Sequence, residues 1–67
     1  MNKHDPRKDP RPGDVTKNGN DVMLVVRRSD ETVWWAWSWQ RWNDLCQTPI
    51  EAWEKDSKNE EVLHVAE

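Results

Sequence analysis

The residues best able to do chemistry by contact are crowded into one short stretch. Thr32 to Trp42 reads Thr-Val-Trp-Trp-Ala-Trp-Ser-Trp-Gln-Arg-Trp and holds five of the six tryptophans of a 67-residue chain with no Tyr or Phe. Indoles stack, bury large apolar areas and donate a single hydrogen bond, and Trp and Arg are the residues most enriched in binding hot spots. The groups that would serve catalysis are scattered instead. Ser29, Ser38 and Ser57 have no base at readable spacing, and Glu51, Glu54, Asp56, Glu60 and Glu61 read as a solvated helix face and loop. Cys46 is the only cysteine, so no internal disulfide forms; it reads as a small buried apolar residue, because nothing beside it would activate a thiolate. His4 and His64 lie near opposite ends of the chain, which argues against a zinc-clipped miniprotein. The expectation is no enzyme, no metal and no cofactor.

Two periodicities compete for the tryptophan stretch. A strand places Val33, Trp35, Trp37 and Trp39 on one face and Thr32, Trp34, Ala36, Ser38 and Gln40 on the other. A helix aligns Trp35, Trp39, Trp42 and Cys46 but leaves Trp34 and Trp37 off the stripe. Val, Thr and Trp favour pleated surfaces, so the strand is adopted. Six indoles of about 150 to 250 Å² each are more than so small a domain encloses easily. Trp34, opposite the main tryptophan face, and Trp42, beyond the strand, are therefore candidates for the surface. With Arg41 beside Trp42 and Arg28 from the preceding strand, they form the expected partner-binding set.

The elements that position this set can be read in order. Residues 1–12 contain three prolines and carry four basic against two acidic side chains, which reads as a disordered basic arm. Residues 13–67 read as one domain. Pro12-Gly13-Asp14 is a turn into a first strand at Val15-Thr16, and Asn18-Gly19 suits a type I′ hairpin turn. Val22 to Val26 is an apolar run, read as a strand partly covered on both faces and ending at Arg27 and Arg28. Ser29, Asp30 and Glu31 turn the chain into the strand Thr32 to Trp39, antiparallel to its predecessor, with aliphatic and indole side chains paired across it. Thr48, Pro49 and Glu51 form a capping box with proline at the first helical position, predicting a helix over Pro49 to Asp56 with Ile50 and Trp53 on one side. Glu61 to Val65 closes the chain as a strand with His64 facing solvent. The expected fold is mainly β: a small SH3-like, partly open antiparallel barrel with one short helix before the last strand. A five-stranded barrel needs one more strand, for which the Gln40 to Gln47 region is available.

Length and charge narrow the function classes. A chain of this size buries only about 60% of its surface. No run approaches the roughly 20 apolar residues of a membrane span, and the N-terminus has no apolar core of a signal peptide, so a cytoplasmic location is expected. Net charge is −3, with two basic and six acidic residues in 51–67, which argues against a broad phosphate-binding footprint.

Asp9-Pro10-Arg11-Pro12-Gly13-Asp14-Val15, the valine-rich strand, the aromatic strand and Pro49-Ile50-Glu51-Ala52-Trp53 together resemble small proteins encoded by bacteriophages and prophages. Pro-Gly-Asp before a first strand is also similar to SH3-like and KOW-like barrels, although the basic loop of KOW-type nucleic-acid binders is lacking. The resemblance implies an accessory protein that docks on or inhibits a host or defence protein. The residues themselves leave two readings: a non-catalytic protein-binding module, and single-stranded nucleic-acid binding in which exposed Trp stacks on bases and Arg27, Arg28 and Arg41 meet phosphates. A twofold homodimer through an open edge or a tryptophan patch is a further expectation.

Overall fold

A computed structural model describes residues 4–40 and 44–66. Its elements are β1 (Val15–Asn18), β2 (Asp21–Arg28), β3 (Thr32–Trp37), β4 (Cys46–Pro49), α1 (Ile50–Asp56) and β5 (Glu61–His64). The five strands form one antiparallel sheet in the order β4-β3-β2-β1-β5. β4 and β5 are its unpaired edges, so the sheet is open. β4 overlaps the end of the Gln40 to Gln47 region and supplies the additional strand. Both edges are blunted: β4 ends in Pro49, and the pairing of β5 with β1 is broken by a register shift between Val15 and Thr16. Proline and bulges are the usual means of discouraging edge-to-edge pairing.

The first hairpin pairs Asn18 with Asp21, leaving Gly19 and Asn20 as a two-residue loop. Gly19 has φ +64°, and no non-glycine residue has positive φ among the described residues. A type I′ turn needs positive φ at both loop positions, whereas glycine alone at the first matches type II′. The turn lies where Asn18-Gly19 predicted it, one residue later and in the other form.

β2 and β3 carry the centre of the core. Met23 stands opposite Trp37 and Val25 opposite Trp35. These side chains, with Val33, meet Trp53 and Ile50 of α1; Met23, Val25, Val33 and Trp53 are buried, and Trp35 and Trp37 are packed against them. The expected alternation along β3 therefore holds from Val33 to Trp37. It stops there because Gln40 ends the strand: its Oε1 accepts from the Trp37 N–H at 2.9 Å, and its own N–H donates to the Trp37 carbonyl at 3.0 Å. Trp39, expected in the core row, is instead carried out on a turn.

The helix starts at Ile50, one residue later than predicted, and ends at Asp56 as predicted, without the predicted cap. Thr48 belongs to β4, and its Oγ1 accepts from Trp35 Nε1 at 3.0 Å. Pro49 takes the N-cap position with no side-chain cap hydrogen bond. The first helical N–H is held by tertiary structure, Ile50 donating to the Glu31 carbonyl at 2.9 Å. Thr48 is held in the ladder opposite Val33, one residue before the N-cap, and its hydroxyl serves the indole N–H instead.

Residues 4–12, expected to be a mobile arm, lie against the body. Pro6 and Pro10 are fully buried, and Trp53 Nε1 donates to the Pro6 carbonyl at 2.9 Å. Proline lacks an N–H, so its ring can be buried without orphaning a donor, and a domain short of core uses it as apolar filling. Asp14 clasps the segment from the other side. It is fully buried; Oδ2 is hydrogen-bonded to His4 Nε2 at 2.6 Å and to the Arg11 N–H at 2.7 Å, while Oδ1 accepts from the Ala66 N–H at 2.6 Å. His4, read as part of an arm with no role, is one of three partners of a buried carboxylate.

Candidate binding surface

Four indoles form a row from the interior to the surface. Trp53 is 2% exposed and tilts against Trp35 with ring centroids 5.9 Å apart. Trp35 meets Trp37 edge-on at 4.9 Å and 85°. Trp37 and Trp39 then lie nearly parallel, 4° apart with centroids at 6.4 Å. Both arrangements suit the aromatic quadrupole. Trp39 is 70% exposed, the most exposed large apolar side chain among the described residues. Its ring is held against a neighbour while most of its surface meets water.

Trp34 lies on the opposite face, as the alternation predicted, but its neighbour is not the expected one. The β2–β3 register shifts between Val25 and Arg27, so that Arg27 stands opposite Trp34 and Arg28 opposite Val33. Without that shift, Arg28 would share the face of Trp34. Arg27 instead places its guanidinium 5.0 Å from the Trp34 ring centroid. Arg28 is tied up within the chain, donating to the Pro10 carbonyl at 3.1 Å and pairing with Asp9. Of the expected partner-binding set, Trp34 is partly exposed and stacked by an arginine, and Arg28 fixes the N-terminal segment. Arg41 and Trp42 lie outside the described residues.

Two other polar groupings lie away from the tryptophan row. Glu60 is buried beneath the sheet end, where Thr16 Oγ1 donates to its Oε1 at 3.0 Å. Burial pushes its carboxyl above the usual value, against the opposing influence of the Thr16 and Ser57 hydroxyls and with a small push from Asp56. Ser57 Oγ, itself buried, makes no hydrogen bond of good geometry. Beside α1, an open cleft of about 490 Å³ is lined by Asp5, Lys8, Glu51, Glu54, Lys55 and Lys58, among others; its mixed charges select no one class of ion. No three His, Cys, Asp or Glu side chains converge as a metal site would require among the described residues. No helix is long and apolar enough to cross a membrane. Cys46, expected to be buried, is half-buried on β4, its Sγ 3.6 Å from Gln40 Oε1.

Comparison of the chain with family models, with curated proteins and with solved structures finds no match.

The residue that sequence reasoning missed is Trp39. Six indoles exceed the room in the core, but a strand continued through Ser38 hides this one. The signal available was Ser38 and Gln40 on either side of it, polar residues able to stop a strand.

Proposed function

We propose that this protein is a non-catalytic protein-binding module whose contact surface is centred on Trp39. The observation that carries the proposal is an indole 70% exposed yet held parallel against Trp37. A large apolar ring that is already ordered loses little conformational entropy when a partner covers it, which is what makes a hot spot. Arg41 and Trp42, the other expected contact residues, follow directly in sequence. The strand succession with a short helix before β5 supports the SH3-like form of this open sheet. The phage-type resemblance supports an accessory role: docking on a host or defence protein in the cytoplasm.

The test places a photo-activated cross-linking amino acid at exposed Ser38 in the producing cell, then reconstitutes any adduct partner with purified protein. Trp39→Ala should weaken the reconstituted complex by about 2 kcal/mol, roughly thirtyfold in affinity, while lowering stability by no more than about 1 kcal/mol, the scale of one aromatic pair. A saturable, salt-sensitive quenching of tryptophan fluorescence by single-stranded oligonucleotide, abolished by Trp39→Ala, would replace this reading with base stacking.

A further inference from the structure

We propose that the sheet face turned away from α1 is a second contact surface, and that it takes an acidic, apolar segment of a partner protein with a carboxylate seated on Arg27. Met23, Val25 and Val33 point into the core, so the alternating residues of β1 to β4 build the other face. The strand registers give its rows: Lys17 beside Val22, then Val15, Leu24 and Ala36, then Arg27, Trp34 and Gln47. Val15, Val22, Leu24 and Trp34 are partly exposed. α1 packs on β3 and β4 from the core side, and no other helix or strand covers this face among the described residues.

Charge decides the occupant. Arg7 pairs with Asp5, Arg11 with Asp9 and Arg28 with Asp9. Arg27 is the described arginine for which no carboxylate is within reach among the described residues; it is exposed, and its guanidinium lies over the Trp34 ring. Stacking orients the planar fork and leaves its N–H donors to a bidentate acceptor. Lys17 marks the other end of the strip, five residues along β2 from Arg27 by way of Val22, or about 16 Å. Glu61 stands across from Lys17 on β5, so uncompensated positive charge is concentrated at Arg27.

A second copy of this chain suits the face poorly, because the carboxylate that the strand registers place on it, Glu61, already stands across from Lys17, and a twofold arrangement brings the like charges of Arg27 and Lys17 together. A polyanionic strand suits it poorly too, since one unpaired guanidinium beside aliphatic side chains offers few phosphate contacts. A carboxylate flanked by aliphatic side chains matches both the cation and the Leu24, Val22 and Val15 surface. Trp39 stacks on Trp37, a core-face residue, so this surface is independent of the one proposed above.

The experiment follows the indole N–H of Trp34 and the Nε–H of Arg27 by NMR while the folded protein is titrated with acetylated Leu-Glu-Val-Glu-Leu amide. The same titration is run with the peptide bearing Gln for Glu, and with oligothymidylate. Both signals should shift saturably with the Glu peptide. The apparent affinity should fall at least about tenfold with the Gln peptide or with Arg27→Gln, a difference of about 1.4 kcal/mol. Arg27→Lys, which keeps the charge and loses the fork, should fall between, and Trp39→Ala should leave the titration unchanged. Equal responses to the Glu and Gln peptides, no shift up to millimolar peptide, or tighter binding of oligothymidylate would overturn the proposal.

Discussion

Replacing Asp14 by Asn tests how much of this small domain depends on one buried carboxylate. The side chain is fully buried and accepts from the Arg11 N–H, the Ala66 N–H and His4 Nε2 over 2.6 to 2.7 Å. Hydrogen bonds to a charged acceptor contribute about 1.5 to 3 kcal/mol each, and a donor left unpaired in a buried site costs about 1 to 3. Asparagine has nearly the same shape but only one accepting atom. Either Ala66 or the Arg11 and His4 side must then face an amide N–H, and the bonds that survive lose their charge assistance. The expected loss is about 2 to 4 kcal/mol. At roughly 0.05 to 0.15 kcal/mol per residue, a chain of this length has a total stability of only about 3 to 10 kcal/mol. Urea denaturation followed by far-ultraviolet circular dichroism should therefore show a much lower midpoint with little change of slope. His4→Ala removes one of the three partners and should cost less, about 1 to 2 kcal/mol. The double variant should be less destabilised than the sum, because both changes act on the same clasp. A loss below about 0.5 kcal/mol for Asp14→Asn, the level of an ordinary surface change, would refute the clasp as a main tie of the fold.

Glu60 gives a pH dependence of definite sign. Its carboxyl is raised above the usual value of 4.5, chiefly by burial, so the folded state holds the proton more tightly than the unfolded chain. Stability from this group is full below the unfolded value and is lost as pH rises through the folded one. Glu60→Gln should therefore become more favourable relative to the native chain on going from acid to neutral pH, measured as paired urea midpoints; a difference that does not vary with pH would contradict this. Gly19→Ala should destabilise by about 1 kcal/mol in thermal unfolding. A Cβ there meets nothing within 4 Å, so the cost comes from the φ of +64° alone; an unchanged midpoint would show that the turn relaxes freely.

Much of the sheet was legible because local rules and the fold agree. Val22 to Arg28 and Thr32 to Trp37 carry β-forming side chains between clear turn signals, and Ile50 and Trp53 share a helix face as their spacing required. The misses fall where a side chain chose a distant partner over a near one. Thr48 had a capping role by sequence, but Trp35 reached it first. Gln40 looked like one more strand residue, yet its amide stops β3 and turns Trp39 outward. Pro6 and Pro10 suggested an unpacked arm because proline disfavours regular structure, which says nothing of its usefulness as apolar filling. The bulge that exchanges Arg28 for Arg27 beside Trp34 inserts a single residue into a uniform apolar run, and no residue type in Val22 to Val26 marks where. Of the expected contact set, the face of Trp34 was therefore readable and the identity of its arginine was not.

The row of indoles also has an optical consequence. Transition dipoles on rings 4.9 to 6.4 Å apart are near enough to exchange energy, so excitation absorbed at Trp53 can migrate through Trp35 and Trp37 to Trp39 before it is emitted. A quencher that touches only the outermost ring then dims light absorbed in the core. The edge-on and parallel pairs should also give the folded chain an exciton couplet that vanishes when the rings separate. The protein thus carries its own gauge: the part of its emission that passes through Trp39 reports the outer end of the row, and the couplet reports whether the row is assembled.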